Sequence, residues 1–128
     1  MEYVDTTALA DDSSDFRRVL WTGAHTQLVV MTIPVGEEIG SEVHGANDQI
    51  LSFVRGTGTA DVAGETRTVT AGDIVVVPAG TRHNFVNTGS EPLVLMTVYG
   101  PPDHEPGTVH RTKAEADAAE TSEQGNAS

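Results

Sequence analysis

The stretch GSEVHGANDQ, Gly40 to Gln49, carries a carboxylate at Glu42, an imidazole at His44 and a carboxamide at Gln49. In an extended strand residues two apart share a face, so Glu42 and His44 would stand together with Cα atoms about 6.6 Å apart. Gly45-Ala-Asn-Asp48 has the composition of a turn. A chain returning antiparallel from it would set Gln49 about 4.8 Å away on the neighbouring strand. Three side chains with donor atoms then meet at one spot, as a divalent cation requires. A polar lining that binds no metal is the plainer alternative. A second stretch, AGDIVVVPAGTRHNFVN, Ala71 to Asn87, reads as a buried strand, a Pro-Gly turn and another strand on which His83, Phe85 and Asn87 share a face. If that face lines the same interior, His83 completes a set of four donors.

The elements that must position these groups are short strands. Gln27–Ile33, Glu42–His44, Ile50–Arg55, Gly58–Val62, Thr66–Val69, Ile74–Val77, His83–Asn87 and Leu93–Tyr99 are rich in Val, Ile, Thr and Phe and are separated by Gly, Pro, Asn and Asp. Such spacing predicts an all-β antiparallel sandwich or barrel. Ala63-Gly64 predicts a tight hairpin between Gly58–Val62 and Thr66–Val69. Gln49, Leu51 and Phe53 share one face, which runs from the polar site to the apolar interior. Thr112-Lys-Ala-Glu115 has the form of a capping box, and the Ala/Glu/Asp run after it predicts a helix to about Glu120. Residues 1–15 are expected to be a flexible acidic segment, 16–111 the β domain, and 112–128 a short helix followed by a disordered acidic tail over 121–128.

Composition narrows the function classes. The 128 residues suit one domain with one core. Of the net charge of −12, residues 1–15 contribute five acids and no base, and residues 112–128 four acids and one base. The middle holds ten acids against six bases, a net of −4. That balance argues against nucleic acid and against an anionic membrane as partners. Cysteine is absent, so disulfides and thiolate ligands are excluded. No apolar run is long enough for a membrane span, and the acidic start lacks the pattern of a signal peptide, so a cytoplasmic protein is expected.

The two stretches meet a family at this point. The chain resembles the cupins, small β-barrels marked by two motifs. The first motif is Gly, five residues, His, one, His, three or four, Glu, six, Gly. Here Gly36, Glu42, His44, Gln49 and Gly56 keep every interval. The second is Gly, five, Pro, one, Gly, two, His, three, Asn, matched by Gly72, Pro78, Gly80, His83 and Asn87. The fifteen residues between the motifs, Thr57 to Ala71, suit one hairpin. The flanks FRRVLWTGAHTQLVVM and YGPPDHEPGTVHRTKAEADAAE look like those of small single-domain bacterial cupins with an RmlC-like (jelly-roll) barrel.

The resemblance implies a metal site at Glu42, His44, Gln49 and His83. The first His of the motif is Glu42 here and its Glu is Gln49, so one carboxylate remains but at another corner. Two imidazoles and two oxygens suit one divalent ion, Mn, Fe, Ni or Zn. Gln49 has a hydrogen-bonding role beside the metal as its plainer alternative. Met31, Leu51, Phe53, Arg55, Phe85 and Leu95 are expected to wall a substrate pocket. Arg55 would face an anionic substrate or form a rim salt bridge. Asp73 reads as a turn residue, Trp21 and Tyr99 as packing residues, Arg82 as surface, and His25, His104 and His110 as surface or structural. The coil holding His104 and His110 could cross the barrel mouth. The leading reading is a metal-dependent enzyme acting on a small oxygenated molecule by stabilising an enolate or oxyanion, whether as isomerase, cyclase, lyase or dioxygenase, with Glu42 as a possible general base. The alternative is a binding or sensing module without turnover; a structural or storage role is the third. A homodimer is expected, since an exposed sheet edge favours pairing.

Overall fold

Short alternating runs of Val, Ile, Leu and Thr fold here into nine strands among the described residues, flanked by two helices. The computed structural model describes residues 1–127, with side chains through Glu120. In chain order the elements are α1 (Thr6–Asp12), β1 (Arg17–Thr22), β2 (Gln27–Ile33), β3 (Asp48–Arg55), β4 (Thr57–Val62), β5 (Glu65–Thr70), β6 (Ile74–Val77), β7 (His83–Asn87), β8 (Leu93–Gly100), β9 (Val109–His110) and α2 (Lys113–Ala127). A six-stranded sheet in the order β6-β3-β8-β2-β1-β9 faces a three-stranded sheet in the order β5-β4-β7, and every pairing is antiparallel. The expected barrel is thus an antiparallel roll of two sheets, and among the described residues no ladder closes it into one continuous cylinder.

The core fills the space between the sheets. Alternation along β3 sends Gln49, Leu51 and Phe53 inward at 3% exposure or less and leaves Ile50 at 45%. Phe53 and Phe85, from opposite sheets, meet with ring centroids 5.8 Å apart. Gly56 turns the chain from β3 to β4 at φ +88, and a Cβ there would stand 2.6 Å from the carbonyl oxygen of Pro92. Only glycine fits both demands. The predicted hairpin joins β4 to β5, with Ala63 and Gly64 both at positive φ, as a tight two-residue turn needs.

The elements differ from the expected set at four places. Glu42–His44 is not a regular strand: among the described residues it has one bridge, Glu42 to His83, and the segment runs beside β7 and the turn before it through Ile39 N–H to Phe85 O, Gly40 N–H to Asn84 Oδ1 and Gly80 N–H to His44 O. Gly40, at φ +105, breaks the extended path. Consequently Gly45–Asp48 does not close a hairpin. It carries the chain from the β7 side to β3 in the other sheet. Residues 17–22 form β1, which was not anticipated, because its inward positions begin with a charged residue, Arg17. Residues 1–15 hold α1, capped by Asp5, whose Oδ1 accepts from Thr7 N–H and Ala8 N–H. This segment is anchored by Ser13 to Thr32 and by Arg55 to the carbonyl of Ala10. At the other end the capping box forms as predicted, with Glu115 N–H donating to Thr112 Oγ1 and Thr112 N–H to Glu115 Oε2. Helix α2 runs beyond Glu120, and the tail expected over 121–128 lies outside the residues whose side chains are described. No helix among the described residues is long and apolar enough to cross a membrane.

Candidate metal centre

The site forms where the irregular segment after β2 meets β7. Backbone hydrogen bonds in both directions between Glu42 and His83, 2.9 and 3.0 Å, hold the two residues side by side. Single donor atoms of Glu42, His44 and His83 all lie within 4.8 Å of one another. His83 is 5% exposed, and its Nδ1–H donates to the carbonyl of Thr81 at 2.9 Å, which leaves Nε2 as the nitrogen with a free lone pair. His44 stacks at a tilt on His83, centroids 5.3 Å apart, and its Nε2 is 2.8 Å from Glu42 Oε2.

Gln49 enters from the opposite sheet. Its Cα pairs with Tyr99 on β8, and its Nε2 donates to Thr97 Oγ1 at 2.9 Å and to Tyr99 Oη at 3.2 Å. Its Oε1 is buried without a hydrogen-bond partner among the described residues. A buried acceptor left unpaired costs about 1–3 kcal/mol. A cation beside it removes that penalty. Tyr99 ties Gln49 to the cluster, since its ring packs edge-on against His44 at 5.6 Å. The donor set therefore fits a borderline divalent ion: two imidazole nitrogens, one carboxylate and one amide oxygen on an otherwise satisfied side chain.

Protonation follows from the same contacts. The carboxylates of Asp103 and Glu42 outweigh burial and hold the His44 imidazolium up to about 10. His44 is therefore charged and ion-paired to Glu42. Burial raises the Tyr99 phenol above its ordinary value, so it stays protonated. Burial, aided by the Arg17 charge, pushes His104 down to about 4. Asp103 lies below the ordinary carboxylate range: burial pushes it up, but the hydrogen bond and charge of His44 prevail. Burial and the Glu42 charge raise Glu120 on α2.

The opening to solvent is a cleft of about 370 Å³ lined by Ser41, Glu42, Val43, His44, Asp103, His104 and Glu120. A larger groove, about 630 Å³, lies between β5 and β6, and about half of its lining residues are Ala, Val and Ile. It contains none of the donor cluster, so the chemistry belongs to the smaller cleft. Five of the six expected pocket residues, Met31, Leu51, Phe53, Phe85 and Leu95, are at most 1% exposed. They are core beneath the site, and the ring of Phe85 packs toward that of His83 with centroids 6.0 Å apart. Arg55 is at the far end of β3 from Gln49. A bulge between Phe53 and Arg55 breaks the two-residue alternation, and the guanidinium reaches Glu91 and the Ala10 carbonyl instead. Trp21 is 43% exposed rather than packed. Asp73 is the turn residue expected, its Oδ2 accepting from Thr70 N–H.

Asp103, His104, Glu120 and Tyr99 are the cleft and wall residues that sequence reasoning did not place at the site. The available signal was a carboxylate and an imidazole directly after Pro101-Pro102, in a coil positioned to cross the mouth.

Comparison with known proteins agrees with this architecture. The protein YrkC of Bacillus subtilis (strain 168), uncharacterized, is 43% identical over 123 residues, which is 91% of this chain and 66% of YrkC. The uncharacterized protein L612 of Acanthamoeba polyphaga mimivirus is 38% identical over 99 residues, 73% of this chain and 61% of that protein. The chain thus spans less than two thirds of the length of either relative. The crystal structure of BH2720 from Bacillus halodurans superposes with a TM-score of 0.89 at 41% identity, covering 91% of this chain and 93% of that one. The family profile of the cupin domain, Cupin_2, matches residues 29–99, from the second strand to the tyrosine beneath the cleft, and the chain belongs to the cupin family.

Proposed function

We propose that this cupin is a metal-dependent enzyme for a small oxygenated organic molecule, with Glu42, His44, Gln49 and His83 holding one divalent ion, Mn, Fe, Ni or Zn. The observation that carries the reading is the compact Glu42/His44/His83 cluster, supported by the buried Gln49 Oε1, unpaired among the described residues, on a side chain linked to that cluster through Tyr99. A bound divalent ion would supply Lewis acidity toward a substrate oxygen and stabilise an enolate or oxyanion. The chain's residues do the rest. His83 and His44 present imidazole nitrogens whose rings are fixed by other contacts. Glu42 neutralises one positive charge, and on release from it stands ready to accept a proton from a molecule in the cleft. Tyr99 and the core below it keep water out from underneath. A cleft of about 370 Å³ is of a size for a small molecule. Isomerisation, cyclisation, lyase and dioxygenase chemistry all fit this arrangement. A second copy of the chain is the protein partner this reading includes: β6 ends the six-stranded sheet, and Ile50, Ile74 and Val76 are exposed there.

Elemental analysis of the purified protein, followed by turnover and oxygen-uptake assays on hydroxy acids and enols, tests the reading. About one divalent ion per chain and product formation support an enzyme. Ligand-induced heat stabilisation with no product would instead support a binding module, and no metal uptake at all would sink the proposal.

A further inference from the structure

We infer that Asp103 is a positioning residue of the metal centre: it sits on a strap after β8 and sets the ring of His44 so that Nε2, rather than Nδ1, faces the shared donor position. The inference rests on the metal reading above and adds a residue outside both motifs. Asp103 Oδ2 lies 3.4 Å from His44 Nδ1, on the side of the ring opposite Glu42, which faces Nε2 at 2.8 Å. An imidazole that coordinates through one nitrogen is oriented by what the other donates to. His83 has such a partner in the carbonyl of Thr81. For His44 that place is filled by Asp103.

The strap is built to hold the carboxylate there. Gln27, on β2, is fully buried and spends its whole amide on this segment and on Thr22. Its Nε2 donates to the carbonyl of His104 at 2.7 Å, and its Oε1 accepts from His104 N–H at 2.9 Å and Asp103 N–H at 3.2 Å. Asn47, 7% exposed, donates through Nδ2 to the carbonyl of Pro101. Two buried amides, one on each side, therefore fix the backbone of residues 101–104. Asp103 is the strap residue whose side chain meets a member of the donor cluster.

The test is Zn²⁺ titration of the full chain against a chromophoric chelator, with imidazole ¹H–¹⁵N spectra of the Zn²⁺-loaded forms. Asp103→Ala should bind Zn²⁺ about 10–100-fold more weakly, as loss of an orienting partner does. It should also lose the slowly exchanging Nδ1–H signal of His44 while that of His83 persists. Asp103→Asn, which keeps a neutral acceptor, should recover part of both. Glu105→Gln removes a charge from the same strap at an exposed position and should change neither. Zn²⁺ affinity within twofold of the unmodified chain in Asp103→Ala, with the His44 signal intact, would overturn the inference. An unmodified chain that takes up no Zn²⁺ would overturn the metal reading itself.

Discussion

His83 and His44 are the two imidazoles of one site, yet they are held in different ways. His83 opens a regular strand, β7, and is oriented by a main-chain carbonyl two residues back. His44 lies outside any strand, and its ring contacts Glu42, two residues away, and Asp103, 59 residues on. One imidazole is therefore set locally and the other by distant chain. In the proposed metal site, affinity would depend on what holds each of them.

Four predictions press on that difference. The largest effect comes from removing donors on both sides. Glu42→Ala and His83→Ala should each lower metal affinity by more than about 100-fold, beyond the range seen when only an orienting partner is lost. Inductively coupled plasma analysis should then find metal well below one equivalent per chain. Retention of full stoichiometry by both variants would put the site elsewhere. Next comes Gln27→Leu, which leaves buried backbone groups of the strap unpaired and should lower stability by about 2–4 kcal/mol in urea unfolding. Metal affinity should fall with it through His44. A loss of stability with unaltered affinity would show that the strap does not reach the site.

The third prediction concerns the metal-free protein. His104 has a folded pKa of about 4, below its ordinary 6.5. The unfolded chain thus takes up a proton first as pH falls. Stability should decline from about pH 6.5 to about 4, by at most about 3 kcal/mol, and His104→Gln should remove that limb. His44, at about 10, has the opposite sign. The stability it contributes is fully present below about pH 6.5 and is lost as pH rises toward about 10. Urea midpoints from pH 4 to 10 should peak near neutrality, and a flat profile would contradict both assignments. The smallest effect is that of Thr112→Ala, which breaks the capping box of α2. It should lower stability by about 1 kcal/mol and leave metal affinity unchanged, because α2 lines the cleft without supplying a donor.

The same contrast separates what the sequence discloses from what it conceals. The strands β2, β6 and β7 have the bounds that Val, Ile and Thr runs between Gly and Pro predict, because each alternation is local. The motif intervals bring out Glu42, His44, Gln49 and His83, and all four motif glycines, Gly36, Gly56, Gly72 and Gly80, take positive φ. The interval pattern does not show how those residues converge. A hairpin across Gly45–Asp48 is the local solution for joining Glu42 to Gln49, whereas the chain crosses between sheets and Glu42 pairs with His83. Arg17 masks β1 by placing a charge on its buried face. Gln27 reads as one more polar residue in an apolar strand, and its purpose becomes visible only when residues 103 and 104 fold back onto it. Contacts of such long range leave no spacing to count.

The most direct test is a crystal of the full chain grown with Mn²⁺ or Zn²⁺ and measured at the absorption edge of that metal. The account predicts one anomalous peak about 2.0–2.2 Å from a ring nitrogen of His44, a ring nitrogen of His83 and an oxygen of Glu42, with Gln49 Oε1 facing it. A peak bound elsewhere, or none with His44 still paired to Glu42, would contradict it.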